Sequence, residues 1–394
     1  MIKRERGFTL IELLITMVIF ILVIAAGSQI FTGLLTQFKQ QSKIAETNIE
    51  GIVGLEILRQ DIEHAGYGLP WNLGGANYDE AIDDGNTIQN ETNYNDAGAT
   101  DAPPRAIVSG NGNGIGNSDV IVIKAANVAR DVTAPKWTHL MAGDVKKTWT
   151  PDCENVNKNS DCTTNNTVRT IVISPGSTET NSHSLIVSSG AFFTRYSNTA
   201  GFAPTGSTDT YIIYGIDRDT DLRMPFNRAD YYIRTPGAAN FPDRCAIGTG
   251  ILYKATVNHN GGGLSELPLL DCVADMQVIY GIDTDATIDG AINCYANNLA
   301  DVLATVDAEN IRNRIREVRV YVLAHEGQFD RSFIFNPPIA PSSIRVGEPS
   351  LNLPVGSCTG EAVLGWDFDL GGINNWQNYR WKVYTLVVKP NNLR

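Results

Sequence analysis

Glu12 is the first residue of this chain whose type and setting could do chemistry, a lone carboxylate at the head of an apolar run. Between Leu13 and Leu35 the polar side chains are Thr16, Ser28, Gln29 and Thr32. An ionisable group in such a span costs on the order of a few kcal/mol unless it meets an opposite charge or reaches water. Glu12 therefore reads either as a contact for a partner cation or as a group at the membrane edge. Two acidic loops have oxygen-rich spacing. Asp217, Asp219 and Asp221 alternate, and Asp283, Asp285 and Asp289 form a looser set. Calcium takes roughly six to eight oxygens, and alternate Asp side chains supply several of them. Asp230 closes the first loop only if the chain folds back. Neither loop has the EF-hand glycine or closing glutamate, and Asp-rich segments are also good turns because Asp bonds its own backbone. Calcium is thus the one ion to consider, with no other cofactor expected.

Enzymatic patterns are missing. The five histidines, 64, 139, 183, 259 and 325, stand in no HExxH motif, and there is no GxSxG elbow or phosphate-binding GxxxxGK[ST] loop. His325 ends a predicted strand and reads as a surface residue. The chain is expected not to be an enzyme. A formal net charge of -12 over 394 residues argues against the basic footprint of a nucleic-acid binder. The six cysteines, 153, 162, 245, 272, 294 and 358, form no zinc spacing. An even count on the exported side of a membrane reads as disulfides. Cys153 and Cys162 are close enough in sequence to pair. Pairs 245–272 and 294–358 are one choice among several for the others.

These residues must be positioned by a few elements. The run from Leu13 to Leu35 is long enough for a membrane-spanning helix. Lys3, Arg4 and Arg6 precede it, so the amino terminus is expected in the cytoplasm and the remainder outside. A plain signal anchor, or a signal peptide cut near Ala25 or Ala26, is a rival reading of the segment. The helix should continue past the membrane. Phe38, Ala45, Ile49, Ile52, Leu55, Leu58, Ile62 and Ala65 form an apolar stripe, ended by Gly66, Gly68 and Pro70. From residue 8 to 65 this is a helix about 85 Å long, weakened by Gly51 and Gly54. Residues 71–118 are rich in Asn, Asp and Gly and read as a long surface excursion. β signals follow at 119–125, 167–174, 183–187, 211–216, 231–235, 250–257, 276–280, 317–324 and 380–389, with a helix expected over 301–315. Trp366, Phe368, Trp376, Tyr379, Trp381 and Tyr384 read as core, with a partner-binding face as the other reading. The fold class is α+β: one long amino-terminal helix, apolar then amphipathic, packed on a mostly antiparallel β body with long loops.

The segment Gly7-Phe8-Thr9-Leu10-Ile11-Glu12 resembles the class III signal of type IV pilins and type II secretion pseudopilins. That resemblance implies cleavage between Gly7 and Phe8 by a prepilin peptidase, N-methylation of Phe8, and a role for Glu12 in meeting the amine of a neighbouring subunit. Cleavage would remove three cations and one anion, moving the net charge from -12 to -14. Unlike many major pilins the span has no proline, and Gly27 and Gly33 are its soft points. Six further segments, at 55–68, 117–123, 248–258, 269–285, 315–327 and 379–394, are similar to PilW-like minor pilins, relatives of the J-type pseudopilins. Regions 71–116 and 130–166 fall outside the likeness. The implied domains are a leader (1–7), a transmembrane and filament-core helix (8–35), its amphipathic half (36–66) and an extracytoplasmic β-rich domain (67–394). The implied function is a minor subunit of a type IV pilus acting in assembly, in priming or at the tip. Its partners would be other major and minor pilins, the peptidase and a tip adhesin. Its location would be the inner membrane, then the pilus surface. A J-type pseudopilin, or a membrane-anchored extracytoplasmic binding protein, is the alternative.

Overall fold

The computed structural model describes residues 9–83, 91–98, 102–129, 131–146, 168–176 and 182–393. The leader, Gly7, Phe8, Cys153 and Cys162 lie outside these residues. Helix α1 runs unbroken over Leu10–Glu63, 54 residues, so the apolar and amphipathic segments are one element.

In chain order, β1 (Ile107–Gly110) and β2 (Val120–Ala125) precede β3 (Trp137–Met141), β4 (Val145–Lys146), β5 (Arg169–Ser174), β6 (Ser184–Leu185), β7 (Thr194–Arg195) and β8 (Thr210–Asp217). Then come β9 (Asn227–Arg234), β10 (Gly250–Val257), β11 (Leu264–Ile282) and β12 (Cys294–Ala296), followed by helix α2 (Ala308–Arg314). The last strands are β13 (Ile315–Glu326), β14 (Ser343–Pro349), β15 (Val363–Asp369) and β16 (Arg380–Val388). The main sheet has the order β1-β2-β9-β10-β11-β13-β16, with β12 on β11. A second sheet, β4-β3-β8-β5-β6 with β7 on β5, is inserted in the chain between β2 and β9. All ladders joining these strands are antiparallel.

The central strands are apolar on both faces because both faces are covered. On β13, Val318, Val320, Val322 and Ala324 share a core with Leu55, Leu58 and Ile62 of α1. The intervening Tyr321 and Leu323 pack with Ile344, Val346 and Leu364 of the β14–β15 hairpin. Strand alternation sends successive residues to opposite sides, so a near-continuous apolar run marks a strand held between helix and hairpin.

The structure departs from expectation at five points. The apolar stripe of α1 is buried only from Leu55 onward: Leu55, Leu58, Ile62 and Ala65 are buried, whereas Phe38, Ile49 and Ile52 are exposed. The described residues of 71–118 are no surface excursion. They contain β1 and bury Leu73, Glu80, Ala81, Glu91 and Tyr94. The β14–β15 hairpin was not expected, nor was the extension of β11 back to Leu264. The helix of 301–315 shrinks to Ala308–Arg314, because the Asp307 carboxylate accepts the Asn310 N–H and caps it there.

Gly51 and Gly54 do more than weaken the helix. A Cβ built on Gly54 would fall 2.1 Å from the Leu269 carbonyl oxygen of β11, so α1 rests there directly on sheet backbone. Gly54→Ala should therefore destabilise, because overpacking of about 1–3 kcal/mol opposes a gain in helix propensity of at most about 1 kcal/mol. Urea unfolding would measure it, with Gly27→Ala as control, since no atom lies within 4 Å of a Cβ there. Equal midpoints for the two variants would show that the close approach costs nothing.

Candidate functional site

Helix α1 presents two surfaces of opposite kind. Along its amino-terminal part the apolar side chains have no cover: Leu10 is 81% exposed, Phe20 66% and Phe31 62%. Among the described residues α1 is the helix long and apolar enough to cross a membrane. Apolar surface contributes about 25 cal/mol per Å² when removed from water, so such a stretch is stable only against lipid or other apolar helices.

At its head the structure brings Thr9 and Glu12 together. The Thr9 Oγ1 accepts the Glu12 N–H at 3.3 Å, and Glu12 Oε2 accepts the Thr9 N–H at 2.9 Å and its hydroxyl at 3.0 Å. This is a reciprocal capping box at the positive end of the helix dipole. Glu12 is thus provided with donors in the isolated chain, which reading it as a lone charge missed. The signal was present as Thr9-x-x-Glu12.

The other end of α1 is anchored by polar groups. Asp61 lies 2.5 Å from Lys254 Nζ of β10 and accepts the Tyr231 hydroxyl of β9. Asn48 Oδ1 accepts from Lys382 Nζ at 2.9 Å on β16. A buried aspartate in the last turn opposes the helix dipole, and its partners on the sheet explain it.

The two acidic loops are satisfied by the chain itself. Asp217 Oδ1 accepts the N–H groups of Asp219 and Thr220, Asp221 pairs with Arg169 at 2.7 Å, and Asp219 with Arg218 at 3.1 Å. Asp230 is buried on β9, bonded to Arg228, and does not close that loop. Asp283, Asp285 and Asp289 do converge, with oxygens within 4.8 Å of one another. Asp283, however, accepts the N–H groups of Asp285, Asp289 and Gly290, with Arg316 at 3.5 Å, while Arg314 bonds the carbonyls of Asp283 and Asp285. Two guanidinium groups and three N–H donors give these oxygens the partners of a stabilised turn.

Cys245 is bonded to Cys272 and Cys294 to Cys358, with Cα separations of 4.8 and 4.9 Å. The first ties the segment before β10 to β11. The second ties β12 to the loop between β14 and β15. His325 is no surface residue: it is fully buried against Tyr379 and Trp381, and its Nε2 accepts the Ala246 N–H. Burial lowers it to about 3. The same cause lowers His259 to about 4, where Nδ1 accepts the Arg223 N–H. Both are neutral supports with their accepting nitrogens occupied. A cleft of about 610 Å³ opens beside His259, lined by Asp131, Asp217, Asn227, Asn258 and Asn260. Its polar groups bond one another and nearby backbone, as Ser265 to Asn258 and Asn227 to the carbonyls of Ala126 and Ile216. Of the six carboxy-terminal aromatics, Tyr379, Trp381 and Tyr384 are core, while Trp366 is 47% exposed.

The chain thus combines an exposed apolar helix with an antiparallel sheet onto which its far end packs, and two family models match it. Residues 2–28 match the family model described as the prokaryotic N-terminal methylation motif. Residues 230–392 match that of the type IV pilus-assembly protein W. What this chain is similar to is therefore a PilW-like minor pilin, a structural pilus component. The motif and the apolar helix fit a membrane-anchored pilin. No curated protein and no solved structure matches the chain.

Proposed function

We propose that this chain is a minor structural subunit of a type IV pilus, cut between Gly7 and Phe8, methylated on Phe8, and built into the filament through α1. The observation that carries this reading is the uncovered apolar surface of α1, continuous in one helix with the part that packs on a body having its own core. Helices of neighbouring subunits supply that cover, and Glu12 sets their register by giving its carboxylate to a neighbour's amine. In a low-dielectric layer this attraction is strong, and either charge is costly alone. The body faces outward, where the subunit acts in assembly, in priming or at the tip with other minor pilins and an adhesin.

Intact mass of the purified chain tests processing, and a start at methylated Phe8 is expected. Glu12→Ala should be processed normally yet recovered in sheared pili at least about tenfold less, the equivalent of about 1.4 kcal/mol. Thr9→Ala removes the cap, worth about 1 kcal/mol, but leaves the carboxylate. Equal losses in both variants would reduce Glu12 to a capping residue. A chain that retains Met1 would defeat the reading outright.

A further inference from the structure

Helix α1 crosses the main sheet strand by strand. Just past its end the Gly66 N–H donates to the Lys124 carbonyl of β2 at 3.0 Å. Asp61 meets Tyr231 of β9 and Lys254 of β10. Gly54 and Gly51 approach Leu269 and Leu270 of β11, and Asn48 accepts from Lys382 of β16 at 2.9 Å. The helix therefore leaves the sheet beneath β16, the last strand in its order. That edge of the body is turned toward the membrane end of α1, and the opposite edge, β1, is turned away from it.

β16 is an open edge. It spans Arg380–Val388, nine residues, and its ladder to β13 has no bulge. Among the described residues no strand pairs with its outer side, and no backbone group from elsewhere bonds its backbone. In an antiparallel ladder every second residue turns its N–H and C=O away from the partner strand, so a row of backbone groups faces outward. Natural sheets blunt such edges with a very short strand, a proline or a bulge, and β16 has none of these. Lys382, the lysine within it, is bonded to Glu326 and Asn48. Thr385 and Val387 are exposed, Val387 by 49%.

The helix supplies a floor for one more strand. From Asn48 back to Leu35, where the apolar run ends, α1 continues for about 20 Å. Strands lie about 4.8 Å apart, so this stretch passes under the place of an added strand. Headgroups extend the bilayer core by only about 5–8 Å on each side, which leaves the edge clear of lipid. The same stretch leads into the apolar surface that neighbouring subunits cover in the filament reading, on which this inference rests. We propose that β16 is a strand-addition site whose occupant is the membrane-distal edge strand of the neighbouring pilin-like subunit on its membrane side. Main-chain bonds supply the affinity of such an addition. The pairing is head-to-tail, the kind that extends into an open filament when its rotation does not close.

Photoreactive p-benzoylphenylalanine in place of Thr385 or Val387, in the full chain in cells assembling pili, puts a probe on this edge. Irradiation of sheared pili and peptide mass spectrometry should give an adduct with an edge strand of another pilin-like subunit. The same probe at Leu351, 84% exposed on the β14–β15 connection, should not. In pili that contain the chain, adducts with phospholipid alone, with helical segments alone, or none at all overturn the strand addition and leave the filament reading standing. A wild-type chain missing from pili overturns both. Thr385→Pro and Leu386→Pro remove N–H groups from opposite sides of β16, because successive residues alternate. The variant that loses an outward N–H keeps the wild-type urea midpoint and should be recovered in pili about tenfold less. Wild-type recovery of that variant overturns the proposal even if the other fails to fold.

Discussion

Asp61→Ala should lower stability by about 3–5 kcal/mol, the usual cost of leaving one partner of a buried ion pair alone. Lys254 is 5% exposed and its ammonium sits 2.5 Å from the Asp61 carboxylate. Without Asp61 that charge has no described counter-ion, and the Tyr231 hydroxyl loses its acceptor. The double variant Asp61→Ala, Lys254→Met should recover much of the loss, because replacing both members by apolar groups is often nearly neutral. Urea midpoints of the wild type, both single variants and the double variant would measure the coupling. A loss below about 0.5 kcal/mol for the single variant, the level of an ordinary surface change, would mean that apolar packing alone docks the helix. The effect would be felt in function, since α1 joins the membrane-facing stretch to the body. A loosened carboxy-terminal end would uncouple the two.

How much of this was legible follows the physics of each element. Residues 55, 58, 62 and 65 announced their face, because helical spacing of apolar residues has one interpretation when a sheet is present. Ile49 and Ile52 continue that spacing, yet they are exposed. Spacing says that a face is apolar and never says whether the same chain covers it. The disulfide pairs 245–272 and 294–358 were one choice among several, and the geometry that selects them is tertiary. The β14–β15 hairpin was hidden because its facing glycines, Gly347 and Gly365, and its Arg, Glu and Pro residues do not read as strand. Buried charge was the least legible of all. Glu80, Asp96 and Lys124 look like surface residues by type, and nothing local reveals that they meet. The Thr9–Glu12 capping box is legible as Thr-x-x-Glu, although the charge of Glu12 suggests a partner on a neighbour before one three residues back.

Glu80 is the residue on which that hidden network turns. Lys124 on β2 and Arg228 on β9 are both fully buried, and Glu80 Oε2 contacts them at 2.7 and 3.1 Å. Its other oxygen accepts the N–H groups of Asp96 and Ala97 at 2.6 and 3.1 Å. Asp96 bonds Lys124 and Arg105, and Asp230 holds Arg228. Three cations therefore meet three anions, and the segment before β1 is tied to the sheet through them. Against the desolvation that would raise it, Lys124 and Arg105 hold the Asp96 carboxyl below its ordinary range. That contribution is present at neutral pH and is lost as pH falls below about 4. Glu80→Ala removes one anion from a balanced set and leaves two buried cations sharing what remains, so a loss of about 3–5 kcal/mol is expected. Glu80→Gln retains an oxygen for the Asp96 and Ala97 N–H groups but loses the charge, and should fall between the wild type and alanine. Urea unfolding gives the global cost, and limited proteolysis within 79–98 gives the local one. If Gln matches the wild type, hydrogen bonds rather than charge hold this segment. If alanine matches it too, the segment is held by the burial of Leu73, Ala81 and Tyr94 alone.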